Sequence, residues 1–460
     1  MSVDRRSFLK TVGAGIALAG AGSAKSLAPG EPRSGAQRQP ATGARPAPEV
    51  VVVGAGAFGM WTALNLQRLG ARVRVVDAYG PANSRSTSGG ETRGVRSSYG
   101  DRPHGPHWTR WAKDAIGRWI AWDEWAGERL LPKLFFQTGD LILREEVTPY
   151  IEDTRANWDA IGAAYEVLDP DEVRRRWPQI RFETLGVALY EPDAGVVRAR
   201  RAIESVARVF EEEGGSLAIG RAALGASSGR RLEDLRMEPG DRQSAAIFVL
   251  ACGPWFPKMF PALMGKRLRI PIGHTFYFAT HDPRFMFPNM PSYGVPGCTG
   301  WPALGPDHRG FRVRTGGRPP EDPDSSDRWI PEEYHATPRE ILAQHFPDLV
   351  GAPINETRAC HYESSVDQNF IVDRHPDFDN VWLTGGGSAE AFKFGPVLGE
   401  YIAKRVLGVE DDPALAAAFR LKEREFDDDE DKSEGSAKRK GGEAVEKTRP
   451  SEPSEPPAWR

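Results

Sequence analysis

The sequence predicts a mixed α/β fold, a Rossmann-type β-α-β domain into which a second domain, built on an antiparallel sheet, is inserted. Three observations predict it. A short apolar run at 50–53, a helically spaced stretch at 58–69 and a second apolar run at 73–76 form a strand-helix-strand start. Buried-strand patterns return far downstream at 245–251 and 380–384. Between them, the aromatic 276–278, the Pro-rich 285–310 and 311–314 suggest antiparallel strands joined by long loops.

The elements follow in chain order. The N-terminus carries Arg5-Arg6-Ser7-Phe8-Leu9-Lys10 ahead of a short Gly/Ala-rich apolar run, with small residues near Ala24 and Ala28. A charged start, a brief apolar stretch and small residues read as an export signal of the twin-arginine kind over 1–28. That run is shorter than the roughly 20 residues a membrane span needs, so no stable span is expected. Export by this route, through the twin-arginine machinery, implies a periplasmic or extracellular location. Residues 29–48 read as a Pro/Gly-rich linker, and 426–460 as a charged, disordered tail. The first domain is expected from 49–130, 191–252 and 367–425, and the inserted one from 131–190 and 253–366.

Composition narrows the function. At 460 residues the chain has room for two lobes, and a net charge of −4 argues against a nucleic-acid partner. Thirteen Trp and 38 Pro suggest a large non-helical region lined with aromatics. The three cysteines, Cys252, Cys298 and Cys360, are too few and too odd in number for a disulfide framework. No ligand pair stands at zinc spacing, so no metal is expected. A monomer is expected.

The glycines of Gly54-Ala-Gly56-Ala-Phe-Gly59 follow a strand and open a helix. Gly54 allows the tight turn, Gly56 lets the backbone approach a pyrophosphate, and Gly59 permits close helix-strand packing. Asp77, ending the next strand, is placed to accept from adenosine ribose hydroxyls, which favours FAD or NAD over NADP. Arg93 and Arg96, three apart in a small-residue loop, bring positive charge toward an isoalloxazine ring or an anionic substrate. Lys393, between Phe392 and Phe394, is a poor match for simple exposure. For Cys360 the residues alone leave a buried thiol, a disulfide, a metal ligand and a covalent attachment all open.

The ordered pieces Val51-Val-Val-Gly-Ala-Gly, Val75-Val-Asp-Ala, Gly90-Glu-Thr-Arg-Gly-Val-Arg, Tyr190-Glu-Pro-Asp-Ala-Gly, Tyr293-Gly-Val-Pro, Cys360-His-Tyr, Phe370-Ile-Val-Asp-Arg-His-Pro and Phe392-Lys-Phe-Gly span nearly the whole body. In order and spacing the chain resembles the monomeric sarcosine oxidase and N-methyltryptophan oxidase group of the D-amino-acid-oxidase-like flavoproteins. The resemblance implies a Rossmann-type FAD-binding domain with an inserted substrate domain. It also implies FAD held covalently by a thioether from Cys360. Arg96 and Lys393 would hold a substrate carboxylate, with Tyr293 lining the same pocket. Arg93 would lie beside the flavin ring, and Gly385, Gly386 and Gly387 near the flavin. The implied reaction is oxidation of the C–N bond of an amino acid or N-alkyl amino acid to an imine, with O2 as acceptor giving H2O2. A planar Arg fork with a Lys point charge suits a carboxylate.

Several positions depart from that pattern. Gly89 stands where the family has a His, and Thr315-Gly-Gly replaces a nearby family His. The family's oxygen-activating lysine becomes Arg312, with Arg314 the other candidate. The family's Gly-His-Gly becomes Ala389-Glu390-Ala391, and Glu390 adds a negative charge that favours a cationic amine. These changes leave three alternatives: a dehydrogenase passing electrons to a periplasmic carrier, an NAD-dependent dehydrogenase, and a non-catalytic flavin-binding partner subunit. The NAD reading leaves Cys360 and the Arg93/Arg96 loop without a purpose.

Overall fold

The Glu49–Val53 strand is the centre from which the fold is built. In the computed structural model, which describes residues 47–426 except 103, 104 and 411, it sits inside a six-stranded sheet. The order is Ile371–Arg374, Val381–Gly385, Ile247–Leu250, Glu49–Val53, Arg72–Asp77, Ser216–Ile219. Neighbours run parallel except for the antiparallel pair Ile371–Arg374 and Val381–Gly385. The expected export signal, almost all of the expected linker, and residues 427–460 lie outside the described residues.

Four consecutive valines suit this strand because both of its faces are covered. Val50 and Val52 pack into a layer containing the helices Ala57–Arg68, Gly105–Gly127, Ala199–Glu212 and Gly395–Leu407. Val51 and Val53 point the other way, to a cluster with Leu235, Phe248 and Phe256. Strand side chains alternate, so a strand buried on both faces reads as a continuous apolar run. The expected helix over 58–69 is observed as Ala57–Arg68. A Cβ on Gly59 would stand 1.8 Å from the Gly54 carbonyl oxygen, so only glycine lets this helix cross its strand so closely.

The tryptophans correct one expectation. Five of them, Trp108, Trp111, Trp119, Trp122 and Trp125, belong to the Gly105–Gly127 helix rather than to a non-helical region. Spacings of three and eight keep four of them near one stripe, the signature of a helix face meeting a core. Trp119 and Trp122 both meet the Trp61 ring edge-on, with centroids 5.5 and 5.1 Å away. Among the described residues no helix is long and apolar enough to cross a membrane.

The second large sheet has eight strands, in the order Ile354–His361, Ile272–Phe278, Phe311–Thr315, Cys298–Trp301, Ser292–Val295, Asp140–Arg144, Val187–Glu191, Glu166–Leu168. It is mixed rather than purely antiparallel, because Ser292–Val295 runs parallel to Asp140–Arg144. The expected long loop over 285–310 contains a hairpin, Ser292–Val295 with Cys298–Trp301. Pro296-Gly297 turns it, and Gly297 has φ +71°, a conformation glycine adopts without strain. A small third sheet pairs Arg93–Val95 with Gly195–Val197 and the latter with Phe135–Phe136, bridging segments on both sides of the expected boundary at residue 130.

Candidate active site

One cavity of about 650 Å³ runs from the strand ends around Gly54 and Asp77 to the face of the eight-stranded sheet at Arg312 and to Lys393. Gly54, Gly56, Asp77, Arg93, Arg96, Tyr293, Arg312, Cys360, Gly387 and Lys393 all border it. Gly59, Gly385 and Gly386 do not. Gly385 instead packs under the Phe256 ring, 2.8 Å from where its Cβ would be, and Gly386 (φ +67°) turns the chain beyond the strand.

The end at Gly54 is made largely of backbone. Gly54 has φ +108°, and a Cβ there would lie 2.2 Å from the Ala251 carbonyl oxygen. Gly56 and Ala57, at the start of the Ala57–Arg68 helix, face the cavity, where the helix N-terminus favours an anion. Asp77 accepts from the Ala55 amide at 2.7 Å and from the Tyr79 and Gly80 amides at 2.8 Å each. A carboxylate offers about four acceptor positions, so roughly one remains for a ribose hydroxyl. Burial raises its pKa, with the three amides pulling the other way. These residues fit a dinucleotide such as FAD: a glycine cradle a side chain would fill, a helix start, and a carboxylate with acceptor capacity to spare.

Beside Asp77 lies a cluster that sequence reasoning missed. Asp324 accepts from the Tyr79 hydroxyl, from Trp255 Nε1 at 2.9 Å, from Arg221 at 3.0 Å and from Lys258 at 2.6 Å. Burial raises its pKa, but the four donors outweigh that and hold it well below the usual carboxylate range. It sits in a loop with no regular pattern, so nothing in the chain announced it.

The middle of the cavity holds the thiol. Cys360 is on the Ile354–His361 strand, opposite Gly273, and Arg93 Nη2 lies 3.3 Å from its sulfur. All three cysteines are free. Burial would raise the Cys360 pKa, but the guanidiniums of Arg93, Arg358, Arg314 and Arg328 together hold it below the ordinary thiol value. Such a thiol is richer in the nucleophilic thiolate. Three residues on, Glu363 is 6% exposed; its Oε2 accepts from the Gly387 amide at 3.3 Å while Oε1 has no hydrogen-bond partner among the described residues. Burial pushes its carboxyl up to about 7. Its position just after Cys360-His-Tyr was the available signal.

Across the cavity, parity along the strands decides which side chains are presented. Phe311 and Val313 point into the core under the sheet, so Arg312 and Arg314 share the opposite face and both border the cavity. The two candidates for the family's lysine position are therefore neighbours on one wall. Arg312 is 3% exposed, lies 3.6 Å over the Trp301 ring, and has no carboxylate partner among the described residues. Burial drives its pKa down to about 10, with Arg314 and Arg93 adding to the effect. Tyr293 shares its parity with the core instead. Its ring stacks on Phe311 at 5.3 Å and its hydroxyl donates to the Arg312 carbonyl at 2.9 Å, so it supports the wall rather than offering a hydroxyl to a substrate.

Arg96 and Lys393 do come together, through Glu390. Lys393 Nζ donates to the Tyr99 hydroxyl at 2.8 Å and to Glu390 Oε2, while Arg96 Nη2 approaches Glu390 Oε1 at 3.5 Å. The Tyr99 hydroxyl is 3.3 Å from Glu390 Oε2. Behind the lysine, Trp119 Nε1 donates to the Lys393 carbonyl at 2.8 Å. Burial lowers the Lys393 pKa to about 8 despite Glu390, with Arg96 adding to the fall. Arg96 is held above its usual value because Glu390 and nearby acidic groups outweigh its burial. Glu390 is delivered by Ser388 and Ala389, at φ +44° and +61°. Left-handed backbone at residues with a Cβ costs of order 1–2 kcal/mol each, so this turn is held by its surroundings. Arg102 donates to the Ser388 carbonyl at 3.4 Å, and Ser388 Oγ donates to the Gly386 carbonyl at 3.1 Å.

Comparison with known proteins bears out the resemblance. The monomeric sarcosine oxidase of Bacillus sp. (strain B-0618) is 25% identical over 383 residues, covering 78% of this chain and 92% of that one. The N-methyl-L-tryptophan oxidase of Yersinia pestis (strain Pestoides F) is 24% identical over 365 residues, with 77% and 94% covered. Among solved structures, the fructosyl amine:oxygen oxidoreductase Amadoriase I of Aspergillus fumigatus shares the fold at TM-score 0.67 and 18% identity, over 81% of this chain and 91% of that one. Iminodiacetate oxidase of Chelativorans sp. BNC1 does so at TM-score 0.66 and 20% identity, over 81% and 98%. The family model described as FAD dependent oxidoreductase matches residues 49–405, from the first strand of the glycine cradle into the Gly395–Leu407 helix. The mixed α/β chain therefore belongs to the FAD dependent oxidoreductase family.

Proposed function

We propose that this oxidoreductase oxidises the C–N bond of an amino acid, or of an amine derived from one, to an imine, with O2 as acceptor giving H2O2. The observation that carries the reading is the single cavity joining the dinucleotide cradle to the half-buried Arg96 and Glu390 and the buried Lys393. Support comes from relatives named for sarcosine and N-methyl-L-tryptophan. Bound FAD supplies the hydride acceptor. The chain's part is to hold the amine against it, exclude water and place charge. Arg312, buried and without a carboxylate partner among the described residues, supplies a fixed positive charge on the sheet wall. Lys393, with a pKa of about 8, is an amine able to exchange a proton near neutral pH.

The same reading holds that Cys360 tethers the flavin, that the chain acts as a monomer, and that the twin-arginine signal exports it already loaded. The purified protein is expected to be yellow and to bleach anaerobically with its amine, then to recolour in air with release of peroxide. A yellow protein that no amine bleaches would point to a partner subunit. Bleaching without peroxide in air would point to an electron carrier. Acid precipitation should leave the colour in the pellet, and Cys360→Ala should move it to the supernatant.

A further inference from the structure

Resting on the amine-oxidising reading above, we infer that Glu390 is the charge selector of the substrate pocket. It fills the Arg96–Lys393 anion clamp from within, so the pocket takes an amine that carries no free carboxylate.

The geometry carries this. A carboxylate held by Arg96 and Lys393 would need their donors, and those donors already face Glu390. Oε2 accepts from Lys393 Nζ, and Oε1 lies 3.5 Å from Arg96 Nη2. The side chains of Arg96, Glu390 and Lys393 are 13%, 12% and 5% exposed, so the three charges sit together out of bulk water. Arg96 Nη1 is committed to Ser98, to its carbonyl at 2.7 Å and to its hydroxyl at 2.6 Å. Lys393 also spends one of its three N–H donors on Tyr99, at 2.8 Å.

An incoming carboxylate has two routes, and both are unfavourable. It can join Glu390, which brings two anions together at one buried site. It can displace Glu390, which leaves that carboxylate buried without its partners. An ammonium or a secondary amine brings no second anion to the site, and so meets neither of these two conflicts.

The placement of Glu390 is built rather than incidental. Ser388 and Ala389, both left-handed, aim it inward. Arg102, 8% exposed, pins the turn through the Ser388 carbonyl. Ser365 adds a second tie, its amide 3.3 Å and its hydroxyl 3.1 Å from Ser388 Oγ. Two further buried cations border the cavity, Arg312 on the sheet wall and Arg144, each 3% exposed, and both are competitors for an anionic ligand.

The test uses the flavin-loaded protein and a matched pair of probes with no hydrogen on the carbon that bears the charged group, tert-butylammonium and pivalate, titrated by calorimetry. Wild type should bind the ammonium at least tenfold more tightly than the carboxylate. Glu390→Gln, which keeps shape and removes charge, should weaken the ammonium and tighten the carboxylate, each by at least tenfold. Wild type preferring the carboxylate overturns the inference whatever the variant does. So does carboxylate binding that Glu390→Gln leaves unchanged and Arg312→Met abolishes. If Glu390→Gln fails to fold, judged by its melting curve, the wild-type pair alone decides. In parallel, N-methylcyclohexylamine should bleach the flavin faster than the N-methyl amino acid bearing the same ring. If neither bleaches it while the calorimetric order holds, the amine-oxidising reading fails and the assignment of Glu390 stands.

Discussion

The two ends of the cavity are built by opposite means. At Gly54, Gly56 and Asp77 the wall is main chain, and what matters is the absence of side chains. At Arg96, Arg312, Glu390 and Lys393 the wall is long charged side chains from three separate segments, converging where water is excluded. The first end is a local motif, complete within thirty residues. The second exists only once the sheets have assembled. A cradle of main chain fits any dinucleotide alike, so family membership is written there. The charged end is particular to this chain, with one carboxylate, Glu390, set between Arg96 and Lys393.

Breaking the main-chain end should have the largest effect. Gly54→Val puts a branched side chain at φ +108° and into the Ala251 carbonyl, so the purified protein is expected to lose its flavin absorbance altogether. Retained colour would mean that close approach is not what the glycine provides. At the other end, Arg312→Met should slow the reaction with the acceptor by about 100- to 1,000-fold, as removal of a single preorganised charge does elsewhere. Stopped-flow reoxidation reads this, and a rate within threefold of wild type would remove Arg312 from the site.

Glu363 lies between the two ends and sharpens the contrast through stability. Its folded pKa of about 7 exceeds the ordinary 4.5, so between those values the folded state binds more protons than the unfolded one. Stability contributed by this group is complete below about pH 4.5 and is lost as pH rises to about 7, by roughly 3 kcal/mol. Glu363→Gln should flatten that part of the pH profile in denaturant titrations; an unchanged slope would show that another group carries it. The smallest effect is expected from Tyr293→Phe. It removes the hydroxyl bonded to the Arg312 carbonyl and should cost about 1 kcal/mol of stability with kcat within twofold. A large loss of kcat would return Tyr293 to the pocket.

The same contrast explains what could be read from the chain. The strand-helix-strand start was legible to within one residue because its apolar run, glycines and terminal Asp77 are all local. Arg93, Arg96, Cys360 and Lys393 were legible as residues, and the structure brings them to one cavity. Their partners were not. Whether Tyr293 faces a pocket or a core depends on strand parity, which a one-residue shift inverts. Glu390 could be seen as a charge near the pocket, but only the left-handed turn at Ser388 and Ala389 shows it reaching both cations. The Gly105–Gly127 helix was hidden because tryptophan carries no strong helical preference and its periodicity went unread. Asp324 gathers Tyr79, Arg221, Trp255 and Lys258 from three distant stretches, a pattern with no linear trace.

The order of strands in the six-stranded sheet also sets a timetable. Val50 pairs on one side with Val73, made moments later by the ribosome, and on the other with Ile247; the strand holding Ile247 must then wait for Val381. Pairings so remote in sequence close slowly, because the intervening chain's freedom must be lost before the contact forms. Until Val381–Gly385 arrives, Ile247–Leu250 is an apolar strand with an open edge, the kind of surface that recruits other chains. A nascent chain released before that point should therefore clump rather than wait. The crevice for the dinucleotide is begun at Glu49–Val53 and finished only when Val381–Gly385 takes its place.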